Sequence, residues 1–468
     1  MQSTTENKKT PYASSRNACK LCAPLGASVV FKGIEGCVPM IHGSQGCATY
    51  IRRYMISHYK EPVDIASSNF SETTTIYGGN RNFIEGINNV IRQYSPQVIG
   101  IATTCLAETI GEDVNALVAE YKQANEENPL LPVFIHASTP SYQGSHMDGF
   151  HEAVYAAVAT LADKNTKSGA HINLFPGFVS PADLRNLKEM LTVSGIEYVL
   201  LPDYSASLDN PFWKDYHLVP EGGTPLNHIR MTGGARASIE FGTILNKGAL
   251  TGRIRKTKTI TTAGEWLEEH CDVPNHRMRM PIGIDATDHF IETIETISGK
   301  KITEKYKLQR GRLVDSYIDG HKYVFGKKAI VIGDEDMLSG LVSFLSEIGI
   351  IPVIVASGGE SGLLKEEIEA VVEDPSHIQV MNGADFESIR EVIQETKPDL
   401  LIGSSKGYYI ARELGIPLIR VGFPIHDRVG GPRMEHLFYS GAQQLFDRIV
   451  NALLEYKQEH SPIGYKYM

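Results

Sequence analysis

The sequence predicts an α/β protein with three doubly wound domains, each built on a parallel sheet. Short apolar runs typical of buried strands alternate with segments of helical periodicity, and this alternation continues through most of the chain. The chain is also long, and 468 residues exceed what one hydrophobic core organises. We therefore expect a disordered lead-in at 1–17, followed by domains at 18–165, 166–325 and 326–468, the last with a C-terminal helix.

The composition is that of an ordinary soluble globular protein, with 42% hydrophobic and 21% charged residues. A net charge of −10 argues against nucleic-acid or anionic membrane partners, which require clustered basic residues. No apolar run approaches the roughly 20 residues that span a bilayer. The polar stretch 1–17 lacks the apolar region of a signal peptide. These features predict a cytoplasmic location, where reduced thiols remain available for metal.

The first predicted domain contains the most informative strand. The run 96–105 has the pattern of a buried strand that ends at Cys105, and residues 108–124 have that of a helix. A further strand at 132–139 and an amphipathic helix at 149–164 complete the domain, and a polar linker at 165–170 follows. Cys105 is therefore expected at the carboxyl end of a strand, where open α/β sheets bind ligands.

The other two domains follow the same alternation. In the second, strands are predicted at 171–177, 197–203, 236–245 and 279–284, with helices at 180–195 and 286–299. Ser180 is the expected N-cap of the first of these helices, and Gly195 marks its end. The third begins with a strand and helix at 327–349, and its further strands are predicted at 351–357, 378–383, 399–405 and 417–423.

Cysteines concentrate near the start of the chain. Five of the six lie between residues 18 and 113, and three of them have small, glycine-rich neighbours: Cys22, Cys47 and Cys105. Such neighbours let backbone N–H groups approach thiolates that bind iron–sulfur clusters. Their long spacings do not fit paired zinc knuckles. For Cys105 alone the alternative is a buried, inert thiol, but the similar settings of Cys22 and Cys47 favour a ligand shell.

Acidic residues follow Cys105. Glu108, Glu112 and Asp113 suit the first turn of a helix, whose positive end also favours a thiolate. We expect Glu112 and Asp113 to be exposed charges. His42 precedes Cys47 by five residues and has two equally supported roles, a hydrogen bond to a cluster sulfur or the capping of a turn.

Other chemistry finds little support in the sequence. Cys271 adjoins His270 with no third ligand nearby, which indicates a structural cysteine. The glycine-rich loops lack the spacing of dinucleotide or P-loop sites, and there is neither a nucleophile elbow nor an H-E-x-x-H motif.

Several motifs, in order, resemble the nitrogenase component 1 family, specifically its β-type subunits and their cofactor-assembly relatives. Among them are CAPLGA, VPMIHGSQGCATY, TTCLAETIGEDV, TPSYQGSHMDGF and KPDLLIGSSKGYYIARELGIPLIRVGFPIHDR. The resemblance extends over nearly the whole chain after residue 17, and it implies three Rossmann-like domains.

The resemblance also implies a ligand set. Cys22, Cys47 and Cys105 would hold an iron–sulfur cluster shared with a homologous α-type partner, while Tyr50 and Ser141 would border it. Cys19 could be a spare ligand because it lies three residues before Cys22 in a CxxC motif, but the resemblance matches Cys22, so Cys19 and Cys37 are left out of the ligand set. The implied assembly is an α2β2 heterotetramer that an ATP-dependent iron-protein reductase serves, docking over the cluster region.

A separate carboxylate group has two interpretations. Asp315 and Asp319 are four residues apart and share a helical face, and the resemblance implies that they form an interface cation site with Glu61. The favoured alternative is a solvated acidic face paired with nearby basic residues, namely Arg310, Arg312 or Lys60.

Two functions within the family compete. The three cysteines and Ser141 match catalytic β subunits, which carry part of the [8Fe–7S] P-cluster and relay electrons for N2 reduction. The motif CAPLGA and the ending IPLIRVGFPIHDRVGG instead differ from what is usual in catalytic β subunits. The stretch GGTPLNHIRMTGGARASIEFG resembles the scaffold that matures the iron–molybdenum cofactor around a [4Fe–4S] cluster. From these features we expect the scaffold subunit, with the catalytic subunit as the alternative. In both, the iron–molybdenum cofactor or its precursor is held mainly by the partner.

An unrelated binding protein with incidental cysteines is a third possibility that the whole-chain match disfavours.

Overall fold

Three parallel sheets organise the chain in this computed structural model, which describes residues 19–164, 169–215, 217–244, 261–393 and 396–462. Every strand pairing within these ranges is parallel. The predicted α/β class with three parallel sheets is confirmed. The predicted lead-in at 1–17 lies outside the described residues. No helix in the described ranges is both long and apolar enough to cross a membrane.

The first sheet has the strand order β2-β1-β3-β4. Its strands are β1 (Cys37–His42), β2 (Ala66–Ser67), β3 (Val98–Thr103) and β4 (Val133–Ala137). The helices of this part are α1 (Ala23–Lys32), α2 (Gln45–Tyr59), α3 (Glu72–Tyr77), α4 (Asn80–Tyr94), α5 (Cys105–Thr109), α6 (Val114–Ala124) and α7 (His146–Leu161). Strands β1 and β3 are entirely buried, as expected for the centre of a parallel sheet covered on both faces.

The second sheet has the order β6-β5-β7-β8. Its strands are β5 (Ile172–Phe175), β6 (Tyr198–Leu200), β7 (Ala237–Phe241) and β8 (Asn275–Met278). Its helices are α8 (Pro181–Val193), α9 (Leu226–Met231), α10 (Ala263–Cys271), α11 (Ile284–Ser298) and α12 (Glu304–Val324). Ser180 caps α8 in a reciprocal capping box with Asp183, which confirms the predicted N-cap.

The third sheet has the order β11-β10-β9-β12-β13. Its strands are β9 (Lys328–Ile332), β10 (Ile351–Ala356), β11 (Gln379–Met381), β12 (Leu400–Gly403) and β13 (Leu418–Arg420). Its helices are α13 (Glu335–Glu347), α14 (Leu364–Glu369), α15 (Phe386–Ile393), α16 (Tyr408–Leu414) and α17 (Phe438–Glu459). The last helix, α17, returns to pack on α11 and α12, with the Phe438 ring 5.2 Å from that of Phe290.

The helix predicted at 108–124 is divided in the structure. Helix α5 ends at Thr109, Gly111 adopts a positive φ of 80°, and Asp113 then caps α6 by accepting a hydrogen bond from the Ala116 amide. A left-handed glycine ends a helix at little cost, and the aspartate satisfies the N–H groups of the next one. The single-helix prediction was therefore wrong.

Helices α1 and α7 cross at unusually short range because each contributes a glycine. A Cβ added to Gly26 would lie 1.7 Å from the His146 carbonyl oxygen, and one added to Gly149 would lie 1.9 Å from that of Ala23. No side chain larger than hydrogen fits at either position. This crossing fixes α1, and with it the segment of Cys22, against the first sheet.

Candidate functional site

Three cysteine-bearing segments converge at one site. Cys22 is the residue before α1 and occupies its N-cap position, Cys47 lies in the first turn of α2, and Cys105 begins α5 directly after β3. Cys47 lies within a helix because Ser44 caps α2 upstream of it by accepting a hydrogen bond from the Gly46 amide. All three thiols are free and partly buried.

The Cys47 thiol lies close enough to the thiols of Cys22 and Cys105 for their charges to affect it. Burial raises the pKa of the Cys47 thiol, and the neighbouring thiols of Cys22 and Cys105 raise that pKa further. Thiolates placed so close together repel one another unless iron shares their charge. The N-terminal ends of α1 and α2 add positive potential that favours thiolates at Cys22 and Cys47.

Ser141 joins two of these segments. Its backbone N–H lies 3.2 Å from Cys105 Sγ and donates to it, while its Oγ accepts a hydrogen bond of 3.1 Å from the Ala23 amide. An amide donor to a thiolate sulfur is the type of contact that tunes iron–sulfur clusters. Ser141 therefore lies in direct contact with the thiol of Cys105.

Tyr50 borders the same thiols. Burial raises the pKa of its phenol well above the usual value, and the neighbouring Cys22 thiol raises that pKa further. Its ring lies 4.8 Å from that of Tyr54. Sequence reasoning missed Tyr54, although its spacing of four residues along a helix from Tyr50 was an available signal.

His42 is engaged inside the chain. The ring is fully buried, with Nδ1 3.1 Å from Ser68 Oγ and Nε2 3.4 Å from Glu112 Oε2. Phe70 and Phe83 contact the ring edge-on. Both nitrogens thus have partners other than the thiols. These contacts favour a structural role for His42 over a hydrogen bond to a cluster sulfur.

Glu112 differs from its predicted setting. The side chain is 10% exposed, and besides His42 it accepts a hydrogen bond of 2.6 Å from the Gly79 amide. The expectation of an exposed charge at Glu112 was wrong, because the turn at Gly111 directs the carboxylate inward. Asp113 remains exposed while it caps α6.

Glu108 ties together the ends of two strands. Its Oε1 accepts hydrogen bonds from the hydroxyls of Thr103 and Ser138, the latter at 2.7 Å. Thr103 ends β3 and Ser138 follows β4, so the carboxylate braces the sheet edge from which Cys105 projects. This bracing role was not predicted from the sequence.

The remaining cysteines have different surroundings. Cys19 packs against the apolar cluster of the third sheet, and burial raises the pKa of its thiol to about 12. Cys37 lies inside β1, where burial also raises the thiol pKa to about 12. Cys271 ends α10, packs against the main core, and has a pKa raised by burial. Thiols in such settings stay protonated, as inert cysteines do.

The predicted carboxylate set is dispersed within this chain. Asp315 and Asp319 are exposed on α12, whereas Glu61 accepts a hydrogen bond of 3.1 Å from the Asn210 amide. Arg310, a predicted partner of the pair, is instead bound by Asp288. Within the described ranges, no three His, Cys, Asp or Glu side chains are arranged to hold a single metal ion. Neither these carboxylates nor the three thiols are therefore arranged around a single metal ion.

Aromatic rings fill the region where the three sheets approach one another. Phe178 stacks on Phe150 at 5.5 Å and contacts Phe423 at 5.3 Å, and the buried His58 ring lies 4.7 Å from Phe423. These residues come from all three sheet regions of the chain. Among the described residues, cavities of about 20 Å³ lie beside these rings.

The chain was compared with known proteins. Residues 22–454 match the model of the nitrogenase component 1 type oxidoreductase family. A nitrogenase molybdenum-iron protein beta chain from Clostridium pasteurianum is 36% identical over 442 residues, covering 94% of this chain and 93% of that protein. The same-named protein from Methanococcus maripaludis is 33% identical, with 94% of each chain covered.

Solved structures agree with these relatives. A chain of the structure titled "Nitrogenase Cp1 at pH 6.5" superimposes with a TM-score of 0.91 at 33% identity, and 98% of both chains is covered. A second chain, from "Nitrogenase Cp1 at pH 5", has a TM-score of 0.67 at 15% identity and shows the shared fold alone. With a family model matched along almost its whole length, the chain belongs to the nitrogenase component 1 family.

Proposed function

We propose that this chain is the β subunit of a catalytic nitrogenase component 1, and that Cys22, Cys47 and Cys105 hold its share of an iron–sulfur cluster. The observation that carries the proposal is the convergence of these three thiols at one partly buried site, two of them at helix N-termini. Three protein ligands leave a cluster short of a full shell. A homologous α-type subunit would supply the rest.

The relatives support the catalytic alternative better than the scaffold that the sequence features favoured. The two relatives described above bear the name of the molybdenum-iron protein beta chain, and they align along nearly the full length of both proteins. In this proposal the cluster is the [8Fe–7S] P-cluster, and the scaffold's [4Fe–4S] cluster is the alternative.

The chain's own residues prepare the site for electron transfer. When bound, the cluster would accept and pass on electrons. Ser141 donates its backbone N–H to Cys105 Sγ, and such a bond stabilises the more reduced, more negative cluster. Tyr50 stays protonated beside Cys22 and can donate to its sulfur. The partner chain would cover the exposed side and exclude water and oxygen.

The catalytic cofactor belongs to the partner in this proposal. The aromatic packing of Phe150, Phe178 and Phe423 fills the space between the three sheets. The cavities that described residues line beside these rings have volumes of about 20 Å³, which is too small for an iron–molybdenum cofactor. It contributes the cluster site and the surface on which an ATP-dependent iron protein would dock.

A cation site at a subunit interface, formed by the carboxylates of Glu61, Asp315 and Asp319, remains a separate proposal. Asp315 and Asp319 are exposed on α12 and have no hydrogen bond or ion pair with other described residues, so a cation would need further ligands from a second subunit. In an α2β2 assembly such ligands are available at a subunit interface.

Purification with the natural α-type partner tests the proposed function. Iron content and electron paramagnetic resonance of the complex, together with acetylene or N2 reduction with the iron protein, distinguish the two candidates. An eight-iron cluster with turnover supports the catalytic subunit. A [4Fe–4S] signal with bound cofactor precursor and no turnover would contradict it and support the scaffold.

A further inference from the structure

A small buried cavity lies at the carboxyl ends of β5 and β7. The chain leaves β5 toward β6 on one side, while β7 lies on the other, so these two strands flank the topological switch point of the second sheet. Such points are where open α/β sheets bind ligands. The cavity volume is about 10 Å³, close to the lower limit for one water molecule.

Among the polar side chains that line this cavity, three come from three different parts of the fold. His151 comes from α7, Arg277 from β8, and Asp336 from the first turn of α13. Each has one buried polar atom without a hydrogen-bond partner among the described residues: Nε2 of His151, Nε of Arg277 and Oδ2 of Asp336. Such atoms are rare, because leaving a buried polar group unpaired is costly.

Other contacts hold two of these side chains in place. Asp336 is 2% exposed, and its Oδ1 accepts hydrogen bonds from the amides of Thr243 at 2.8 Å and Ile244 at 3.0 Å. Arg277 places Nη1 3.6 Å from Glu265 Oε1 and donates from Nη2 to the Gly242 carbonyl at 3.4 Å. These contacts therefore hold the side chains of Arg277 and Asp336 in place where the two residues line the cavity.

We propose that one tightly held water molecule occupies this cavity and joins the three parts of the fold. The water donates hydrogen bonds to His151 Nε2 and Asp336 Oδ2, and it accepts one from Arg277 Nε–H. Three polar partners match the usual coordination of a buried water. Burial lowers the pKa of His151 to about 4, so the neutral ring can accept.

Ions fit the cavity less well. An anion near Arg277 would face the Asp336 carboxylate and that of Glu240, which also lines the cavity. A cation near Asp336 would face the Arg277 guanidinium. A neutral molecule that both donates and accepts avoids either repulsion.

The proposed water bears on the thiol site through α7. His151 lies on the helix whose Gly149 crosses α1, and Cys22 occupies the N-cap position of α1. A water that joins α7 to β8 and α13 thus helps to fix the position of α1 and of Cys22 at its N-cap.

A high-resolution crystal structure of the purified complex tests the proposal. We expect a density peak within about 3.2 Å of all three atoms, without anomalous signal. His151→Leu removes one acceptor and should abolish the peak, whereas His289→Leu, at an exposed position on α11, should retain it. We also expect the unfolding temperature to fall by about 2–4 °C more for His151→Leu than for His289→Leu.

Three results would overturn the proposal: an empty cavity in the unaltered protein, an anomalous peak that identifies an ion, or a peak unaffected by His151→Leu. Should that variant fail to assemble, Asp336→Asn provides the second test. Its amide can donate to the water, so the peak should persist, and its loss would contradict the bonding scheme. Iron content of the same samples reports on the cluster separately.

Discussion

Cys105 and Cys271 show how the setting of a residue decides its chemistry. Both are partly buried thiols, but Cys105 follows a buried strand, accepts an amide N–H from Ser141 and lies near two other thiols. Cys271 ends a helix and packs against the core. Thiolate ligands cannot be replaced by alanine, whereas an apolar filler can.

We therefore expect Cys47→Ala and Cys105→Ala each to lose cluster iron, while Cys271→Ala keeps it. Iron and acid-labile sulfide analysis of the purified complex measures this outcome. Unchanged iron in the first two variants would remove the ligand assignment.

Glu335 gives a residue-scale prediction for pH. The side chain is buried at the start of α13 and accepts a hydrogen bond of 2.6 Å from Ser361 Oγ. Burial raises its pKa from 4.5 to about 7, with smaller contributions from Asp148 and Asp336. The folded protein therefore binds a proton that the unfolded chain releases between these values, and stability falls as pH rises through this window.

Glu335→Gln should flatten the pH dependence of stability between about pH 4.5 and 7, because glutamine keeps an acceptor for Ser361 without titrating. Across this pH window, the free energy of unfolding of the unaltered protein should fall by on the order of 2 kcal/mol more than that of Glu335→Gln. Denaturant midpoints measured at several pH values test this. Parallel profiles for the two proteins would show that Glu335 does not titrate there.

At the scale of elements, the crossing of α1 and α7 is the contact that positions the cluster segment. The glycines at the crossing allow backbone to touch backbone, which no pair of larger residues permits. Gly311, on the exposed face of α12, has nothing within 4 Å of an added Cβ. Replacing glycine by alanine should therefore change the free energy of unfolding in opposite directions at Gly149 and Gly311.

Gly149→Ala should lower the free energy of unfolding by at least about 1–3 kcal/mol, because its methyl group would overlap the Ala23 carbonyl. Gly311→Ala should raise it by about 0.5–1 kcal/mol, since alanine loses less entropy in a helix. Denaturant unfolding compares the pair. Equal effects at the two positions would contradict the close-crossing argument.

At the scale of the whole molecule, the thiol site needs a second subunit. Three partly exposed thiols cannot enclose a cluster, and the space between the sheets is filled by aromatic rings. We expect the chain to retain cluster iron only together with its α-type partner, in an α2β2 assembly. Size-exclusion chromatography with iron analysis measures this, and a stable, iron-loaded monomer would contradict it.

The sequence by itself determined the α/β class, the succession of most strands, the cap at Ser180 and the three cysteines that converge. These features depend on local signals, namely apolar runs, capping residues and the small neighbours of Cys22, Cys47 and Cys105. The sequence features also favoured the scaffold over the catalytic subunit, because CAPLGA and the C-terminal ending differ from the motifs usual in catalytic subunits.

Only the tertiary structure decided what depends on contacts between distant residues. Strand β1 was missed because CVPMIH is short and contains a proline, although it is central and buried. The inward turn of Glu112 toward His42, the hydrogen bond from Ser141 to Cys105, and the close crossing of Gly26 and Gly149 join residues between 36 and 123 positions apart. Local propensity carries no information about such pairs, because the packing of whole elements brings them together.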